Sequence, residues 1–529
     1  MPTLNWIGKE KIVNHDKDVP FRLLRKNKKY SLGKSENLIV EGDNLEALKA
    51  LMPFYYGKIK CIYIDPPYNT GNEKWVYNDK VNSPKIKEWL GRIVGPEGED
   101  LTRHDKWLCM MYPRLKLLYD LLADDGVIFV SIDENELTHL IKIMEEIFNS
   151  IDVIIWKKSG EGRYGKMKNV TTFRKDHEYI IVGYKSLGTK FNKMWEFPGF
   201  VYEYNNPDND PRGPYKAGSI SRREDASDPH HKHYYTVTAP SGRKITRQWD
   251  LPVEDFKKLN KEKRLFWGKT GDNVPAIKIF LNEKRFVTPY SVFLTKGNTT
   301  DAKEALRRIF NLKEGVADIF PNPKPVELIK TLIQLTTDSN SIVLDSFAGS
   351  GTTAHAVLDL NKEDGGNRKF ILVEMEKNIA KNITAERVKR VTKGYSYKTG
   401  NGKAVKVAGL GGGFEYVELG NLLFDKDGMI DKEVSFNDLA SYVYFTETHT
   451  NLEKSKIRKN YLGEYNDVHY FLLFDGVPKK NILNRKFLKE IKKKDGKKIV
   501  YADKCLIDED ILEKHQIIFK QIPYQVRIY

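Results

Sequence analysis

The sequence predicts an α/β fold whose mostly parallel sheet is interrupted by an inserted domain and followed by a smaller C-terminal one. Three observations carry this. Short β-branched and aromatic runs alternate with helix-period stretches from residue 37 to 184. The rhythm stops between 190 and 318, a span too long for a loop in a compact domain. It returns from 325 to about 393, so the middle stretch reads as an insertion.

Taken in order, residues 1–35 are polar and basic and read as an arm laid over the first domain. Leu38-Ile39-Val40 is a short strand. Leu45, Leu48 and Leu51 then recur at helical spacing, with Asp43 or Asn44 placed to cap. Cys61-Ile62-Tyr63-Ile64 is a buried strand that stops at Asp65-Pro66-Pro67-Tyr68, because two prolines cannot donate to a ladder. Residues 107–123 have helical periodicity, broken by Pro113 near the start. A strand at 127–132, an amphipathic helix at 136–148 and strands at 153–156 and 179–183 follow, the last two joined by a basic, Gly-rich loop at 157–175. After the insert come a helix at 325–337, a strand at 341–345, a Gly-rich turn and a helix at 354–360. A strand from Lys369 ends at Glu374, and a charged helix runs to about Lys393. Glycines at 409–413 open a Lys-heavy C-terminal region. The domains are therefore 1–189, 190–318, 319–408 and 409–529, the first and third being halves of one unit.

Two strand ends carry the chemistry. Asp65-Pro66-Pro67-Tyr68 offers a carboxylate, a proline carbonyl and an aromatic ring at the carboxyl end of a strand, where open α/β sheets bind ligands. Those groups suit a planar, amino-bearing base. The second end is Asp345, followed by Ser346-Phe347-Ala348-Gly349-Ser350-Gly351-Thr352-Thr353. Its glycines permit tight backbone geometry and close approach of a ligand at a helix N-terminus. It lacks the Gly-Lys-Ser/Thr ending of a P-loop and the third glycine of the dinucleotide fingerprint. Asp345 suits a cationic amino group, and Glu374, at the next strand end, suits ribose hydroxyls, with Glu376 as rival. A ribose plus a cationic amino group, with no phosphate-binding lysine, suggests S-adenosylmethionine.

The totals narrow the class. The 529 residues carry a formal charge of +16, with a pI of 9.2, which points to a polyanionic partner. Cys61, Cys109 and Cys505 lie far apart, so a disulfide framework or cysteine zinc site is not expected. There is no apolar signal core at the N-terminus and no long apolar run, so a soluble cytoplasmic protein is expected, with no membrane partner.

Together the two motifs resemble those of the DNA amino-methyltransferases. The Asp-Pro-Pro-Tyr motif precedes the insert and the Phe-Ala-Gly-Ser-Gly-Thr motif follows it, which is the circularly permuted order of the β class. A narrower resemblance, to the Mod subunits of type III restriction–modification systems, rests on Gly42-Asp43-Asn44-Leu45, 65–71, Pro113-Arg114-Leu115, 130–136, Pro323-Lys324-Pro325, 344–356, 361–374 and 411–414, and again on 518–524. The resemblance implies a Rossmann-like, S-adenosylmethionine-dependent methyltransferase sheet with an inserted target-recognition domain. It implies methyl transfer to N6 of a flipped adenine in double-stranded DNA, with Asp65, Pro66, Pro67 and Tyr68 catalytic. Asp345, Phe347, Ala348, Gly349, Ser350, Gly351, Thr352 and Glu374 are assigned to the cofactor, with Lys324 bordering it. Asp43 is either the edge of the adenine pocket or a helix cap. The resemblance also implies a homodimer and a helicase–nuclease restriction subunit. N4-cytosine methylation, or a recognition subunit serving such a partner, is the alternative.

In the insert, Arg212, Arg222, Arg223, Arg243 and Arg247, interleaved with Tyr234, Tyr235 and Trp249, suit DNA contacts. Asn69, beside the catalytic motif, is assigned to the same substrate. His230-His231-Lys232-His233 has no second ligand cluster, so no metal is expected. The run 485–498, with Lys492-Lys493-Lys494, reads as a solvated helix face.

Overall fold

The structure is a computed structural model. It describes residues 3–523 apart from 71–102, 160–172, 174, 197–203, 284, 295, 313–317, 426, 454–456, 459, 478–480 and 492–493. Gly71, most of the 157–175 loop, Lys492, Lys493 and Tyr524 lie outside the described residues. The chain forms two compact units, Met1–Asn192 with Tyr290–Tyr529, and Lys193–Pro289.

The larger unit is built on a ten-stranded sheet. Its strands are β1 (Arg22–Lys26), β2 (Leu38–Glu41), β3 (Ile59–Ile64), β4 (Leu122–Ile132), β5 (Ser150–Lys157), β6 (His177–Tyr184), β7 (Val292–Phe293), β8 (Ile342–Asp345), β9 (Lys369–Glu374) and β10 (Glu415–Leu422). They lie in the order β1-β10-β2-β9-β8-β3-β4-β6-β5-β7. From β10 to β4 every pairing is parallel, β6 is antiparallel to both neighbours, and β1 closes one edge antiparallel to β10.

The central strands are apolar almost throughout because both faces are covered. On one face α1 (Asn44–Tyr55), α2 (Arg103–Leu121) and α3 (Leu137–Ile147) share a core with Val40, Ile62, Ile64, Ile128 and Val130. On the other, Cys61 alternates with Ile62 and meets Thr336 of α4 (Val326–Thr336). α4 in turn packs on α5 (Thr352–Asp364).

β3 and β8 are neighbours, with Cys61 opposite Val343 and Ile62 opposite Leu344. From β3 the chain passes through α2 to β4 on one side. From β8 it passes through α5 to β9 on the other. The connections therefore diverge between β3 and β8 and leave a crevice at their carboxyl ends.

Several expectations are corrected. The segment 1–35 is no simple arm, since Arg22–Lys26 pairs with β10 as the edge strand. Pro113 does not break α2: the helix runs through it, held by burial of Cys109, Met111, Tyr112 and Leu115, while Arg114 Nη1 donates to the Met110 carbonyl at 2.7 Å. The main sheet extends past residue 408, because β10 inserts between β1 and β2. Within 190–318, the compact unit stops at Pro289, and Thr299–Phe310 is a helix of the larger unit. The remaining C-terminal residues form a separate four-stranded sheet of Tyr461–Tyr465, Val468–Leu472, Lys497–Ala502 and Ile517–Gln521.

The smaller unit holds a three-stranded sheet of Leu265–Phe266, Ala276–Phe280 and Tyr215–Ser219 and a hairpin of Tyr234–Thr238 with Lys244–Gln248. Ile220, Val237, Ile245, Trp249, Phe256 and Trp267 fill its core.

Candidate active site at the ends of two central strands

The turn after β3 is anchored from two helices. Trp107 Nε1 of α2 donates to the Pro67 carbonyl at 2.7 Å. Asn69 is buried with φ 58°, a left-handed backbone that Asn tolerates better than most residues. Its amide donates to the Arg103 carbonyl at 3.1 Å and to Glu136 Oε1. Glu136 is fully buried at the start of α3, with His104 Nδ1 2.7 Å and His139 Nδ1 2.8 Å from its two oxygens. Among the described residues this is the one group of His and acidic side chains close enough to share an ion, and reading the sequence does not anticipate it.

Held this way, the turn presents Asp65 and Tyr68 to a cavity of about 400 Å³. The Tyr68 hydroxyl lies 2.7 Å from Asp65 Oδ1 and 3.2 Å from Glu178 Oε2. Lys324 Nζ donates to both Asp65 oxygens at 2.7 and 2.6 Å, lies 2.8 Å from the Tyr68 hydroxyl, and is 3.5 Å from Glu178. Lys158 reaches the other Glu178 oxygen at 3.3 Å. Burial works against the Lys324 charge, but Asp65 and Glu178 outweigh it and raise its pKa. Burial would raise Glu178, and Lys324 with Lys158 pulls it below the usual carboxylate range. Burial lifts Asp65 above that range, against the pull of Lys324.

The neighbouring strand end differs. Asp345 accepts from the Phe347 N–H at 3.0 Å and from the Thr353 hydroxyl at 2.6 Å. Among the described residues no Lys or Arg pairs with it, and burial pushes it up to about 7. Gly349 and Gly351 have φ of 50° and 77°, and Gly351 caps α5. A Cβ on Gly349 would come within 2.9 Å of Phe320, so this turn needs glycine twice over. Behind it, Arg387 Nη1 donates to the Ser350 hydroxyl at 2.9 Å and the Thr352 hydroxyl at 2.8 Å.

Asp65, Pro66, Pro67, Tyr68 and Lys324 therefore share one cavity with Asp345, Phe347, Ala348, Gly349, Ser350 and Thr352. Other assigned residues serve elsewhere. Glu374 is buried and turned inward, accepting from the Gly349 N–H and the Glu376 N–H, both at 2.9 Å. Asp43 caps α1 through Leu45 N–H at 2.9 Å and pairs with Arg114 at 3.3 Å. Asn69 braces the turn and does not line the cavity.

In the smaller unit, Arg212 is fixed on Asp210 at 2.7 and 2.8 Å and stacks on Phe280. Trp249 is core, with its N–H on the Tyr235 carbonyl, so it is no surface contact, while the Tyr235 ring stacked on it is half-buried. Arg222, Arg223 and Arg243 are exposed and Arg247 is half-buried near Glu224.

Reading the sequence misses Glu178, Lys158, Phe320 and Arg387. Only Glu178 leaves a usable signal, as an acid at the mouth of an otherwise apolar strand.

The family described as DNA methylase matches residues 59–386, the span holding both strand ends. The chain belongs to that family. The chain is 32% identical over 70% of its length to the StyLTI Mod subunit of a type III restriction–modification enzyme from Salmonella typhimurium, covering 56% of that protein. It is 29% identical over 71% of its length to the EcoP15I Mod subunit from Escherichia coli, covering 64% of it. Against the type II methyltransferase M.KpnI from Klebsiella pneumoniae, it is 31% identical over 66% of its length and covers 83% of that protein. The methylase thus spans less than two thirds of the two Mod subunits.

Proposed function

We propose that this DNA methylase transfers a methyl group from S-adenosylmethionine to N6 of a flipped adenine in duplex DNA, as the modification subunit of a type III-like restriction system. One observation carries the reading: Asp65 with Tyr68 and Asp345 with its glycine turn face one cavity from adjacent strand ends.

The donor set fits the cofactor. Asp345 is a buried acceptor with no cation of its own among the described residues, suited to an α-amino group. The Ser346 hydroxyl, next in the chain, is buried with no hydrogen-bond partner among the described residues. Glu376, at the mouth of β9, is half-buried and is the more accessible candidate for ribose, since Glu374 is buried. When bound, the cofactor supplies an electrophilic methyl on a sulfonium.

The chain's own residues do the rest by positioning and electrostatics. Adenine N6 is a poor nucleophile because its lone pair is drawn into the ring. Asp65 and the Pro66 carbonyl, which accepts no hydrogen bond among the described residues, take its two N–H donors and favour a pyramidal nitrogen. As the N–C bond forms and the methyl C–S bond breaks to leave a neutral thioether, N6 sheds one proton toward Asp65. Tyr68 stacks on the base, offsetting a flipping cost of roughly a few kcal/mol. The arginines of the smaller unit contact DNA. The relatives named as Mod subunits support a restriction partner, and we extend that role, and a homodimer, to this chain. No described helix is long and apolar enough to cross a membrane.

A tritiated-methyl assay on duplex DNA tests this, with D65A as control and long-read sequencing to identify the base and its site. Label on N6 of adenine is expected. Cofactor binding with no label on DNA would overturn the reading, and label on N4 of cytosine would move the target.

A further inference from the structure

The buried Lys324 supplies the counter-ion of the half-buried Asp65, and in doing so it takes the acceptors that the target base needs. Its Nζ lies 2.7 and 2.6 Å from the two Asp65 oxygens and 2.8 Å from the Tyr68 hydroxyl. An ammonium offers the same kind of N–H donors as an exocyclic amino group. The resting site is therefore satisfied by its own side chain. Arrival of a base must displace that side chain, yet a buried ammonium left without a partner is strongly unfavourable.

Among the described residues, one further carboxylate lies within ion-pair distance of Lys324. Glu178 Oε2, at the mouth of β6, is 3.5 Å from Lys324 Nζ. The Tyr68 hydroxyl lies between the two carboxylates, at 2.7 Å from Asp65 and 3.2 Å from Glu178. Glu178 is buried, and its other oxygen is already held by Lys158 at 3.3 Å, which fixes the carboxylate in place. Lys324 and Lys158 keep Glu178 ionised, so it is ready to accept a cation. No step of the methyl transfer itself uses Glu178.

We propose that Glu178 is the second seat of the Lys324 ammonium: an arriving base takes Asp65, the cation passes to Glu178 across the Tyr68 hydroxyl, and release of the methylated base returns it. Glu178 is then a positioning residue that acts through Lys324. This rests on the methyl-transfer reading and deepens it. No bond to carbon, sulfur or nitrogen changes in the exchange, and the ammonium keeps its three protons throughout.

The test is a double-mutant cycle on the full chain, once sequencing has given the target site. Duplexes carry 2-aminopurine next to the target adenine, so loss of stacking reports the flipped fraction without turnover. Single-turnover methylation is measured in parallel. E178Q is expected to lower the flipping equilibrium about tenfold, with cofactor affinity unchanged, as contacting residues couple. E178D, which keeps the charge, should restore most of it. In a K324Q background E178Q should cost nothing further, because no ammonium remains to be seated. Wild-type flipping in E178Q, or a deficit that persists undiminished beside K324Q, would overturn the proposal while leaving methyl transfer intact. A wild-type chain that labels no DNA would instead overturn the reading beneath it.

Discussion

Asp65 and Asp345 stand at the carboxyl ends of adjacent parallel strands, the first half-buried and the second buried, both facing one cavity, yet they are in opposite electrostatic situations. Asp65 carries its own counter-ion, Lys324, with Glu178, Tyr68 and Lys158 extending the network. Among the described residues Asp345 has only a backbone N–H and one hydroxyl as donors, and it is lifted to about 7. Under the proposed function, the difference maps onto what each end would bind. A neutral amino group can displace a lysine only if the lysine has somewhere to go. A cationic amino group supplies the charge Asp345 lacks, so no resident cation is wanted there. One end is charge-balanced at rest, and the other is completed by its ligand.

Breaking the first end should have the largest effect. D65A removes both the acceptor and the counter-ion, and methyl transfer should fall by about a thousandfold or more. Unpairing a buried cation costs roughly 3–5 kcal/mol. Glu178 can take up Lys324, so the loss of stability should be at or below the low end of that range. Methyl incorporation and denaturant midpoints check both parts; an unfolded variant would show that Glu178 is no second partner.

Breaking the second end should separate binding from stability. D345N loses the charge that meets the amino group, and cofactor affinity should fall by roughly a hundredfold. Its effect on stability has the opposite sign. Because folding raises Asp345 from 3.8 to about 7, the protonated form is the favoured native one. The contribution is present in full below pH 4 and is lost as pH rises through 7. D345N escapes that loss, so it should gain on wild type from pH 4 to 8, by at most on the order of 4 kcal/mol. Urea midpoints at the two pH values decide it, and a difference that does not grow with pH would refute the assignment.

Loosening the support of the second end should cost less. Arg387 is buried without a carboxylate partner among the described residues, and burial lowers it to about 9. R387M removes its hold on Ser350 and Thr352 and should weaken cofactor binding about tenfold. Exchanging a buried ion for an apolar side chain is often close to neutral, so stability should move by less than about 2 kcal/mol. Calorimetry on the cofactor and a melting curve would check the pair of effects. Loss of flipping without loss of cofactor affinity would place Arg387 with the first end instead.

The same contrast explains what was legible in the sequence. Strand ends such as Asp65-Pro66-Pro67-Tyr68 and the Gly349–Gly351 turn are local: prolines stop a ladder and glycines adopt positive φ wherever they occur. Their adjacency followed from the α/β rhythm. The first network was half hidden because its members are far apart in the chain, Lys324 lying 259 positions from Asp65 and Glu178 110 positions from Tyr68. A buried salt bridge leaves no periodic trace, so the one signal of Glu178 is an acid at the mouth of an otherwise apolar strand. Asp43 was ambiguous because a cap and a pocket edge ask for the same short carboxylate, and geometry decided for the cap. Pro113 misled because local propensity was overridden by packing on α2. In the smaller unit, aromatic and arginine residues mixed in sequence were sorted by the fold, Trp249 inward and Arg222 outward.

The finest test keeps both aspartates and changes one hydroxyl. Thr353 is fully buried in the first turn of α5, and its Oγ1 donates to Asp345 Oδ2 at 2.6 Å. T353V preserves the shape and removes that donor. A hydrogen bond to a carboxylate favours its charged form, so Asp345 should titrate about one unit higher in the variant. The cofactor's amino group needs the ionised carboxylate, and its own titration cancels in the ratio of variant to wild-type affinity. That ratio should show a deficit of about tenfold near pH 6, shrinking to under about twofold by pH 9, where both proteins hold Asp345 ionised. Binding isotherms across that range measure it directly. A deficit of the same size at every pH would mean that Thr353 acts by packing alone, and that Asp345 is not the group whose charge the ligand completes.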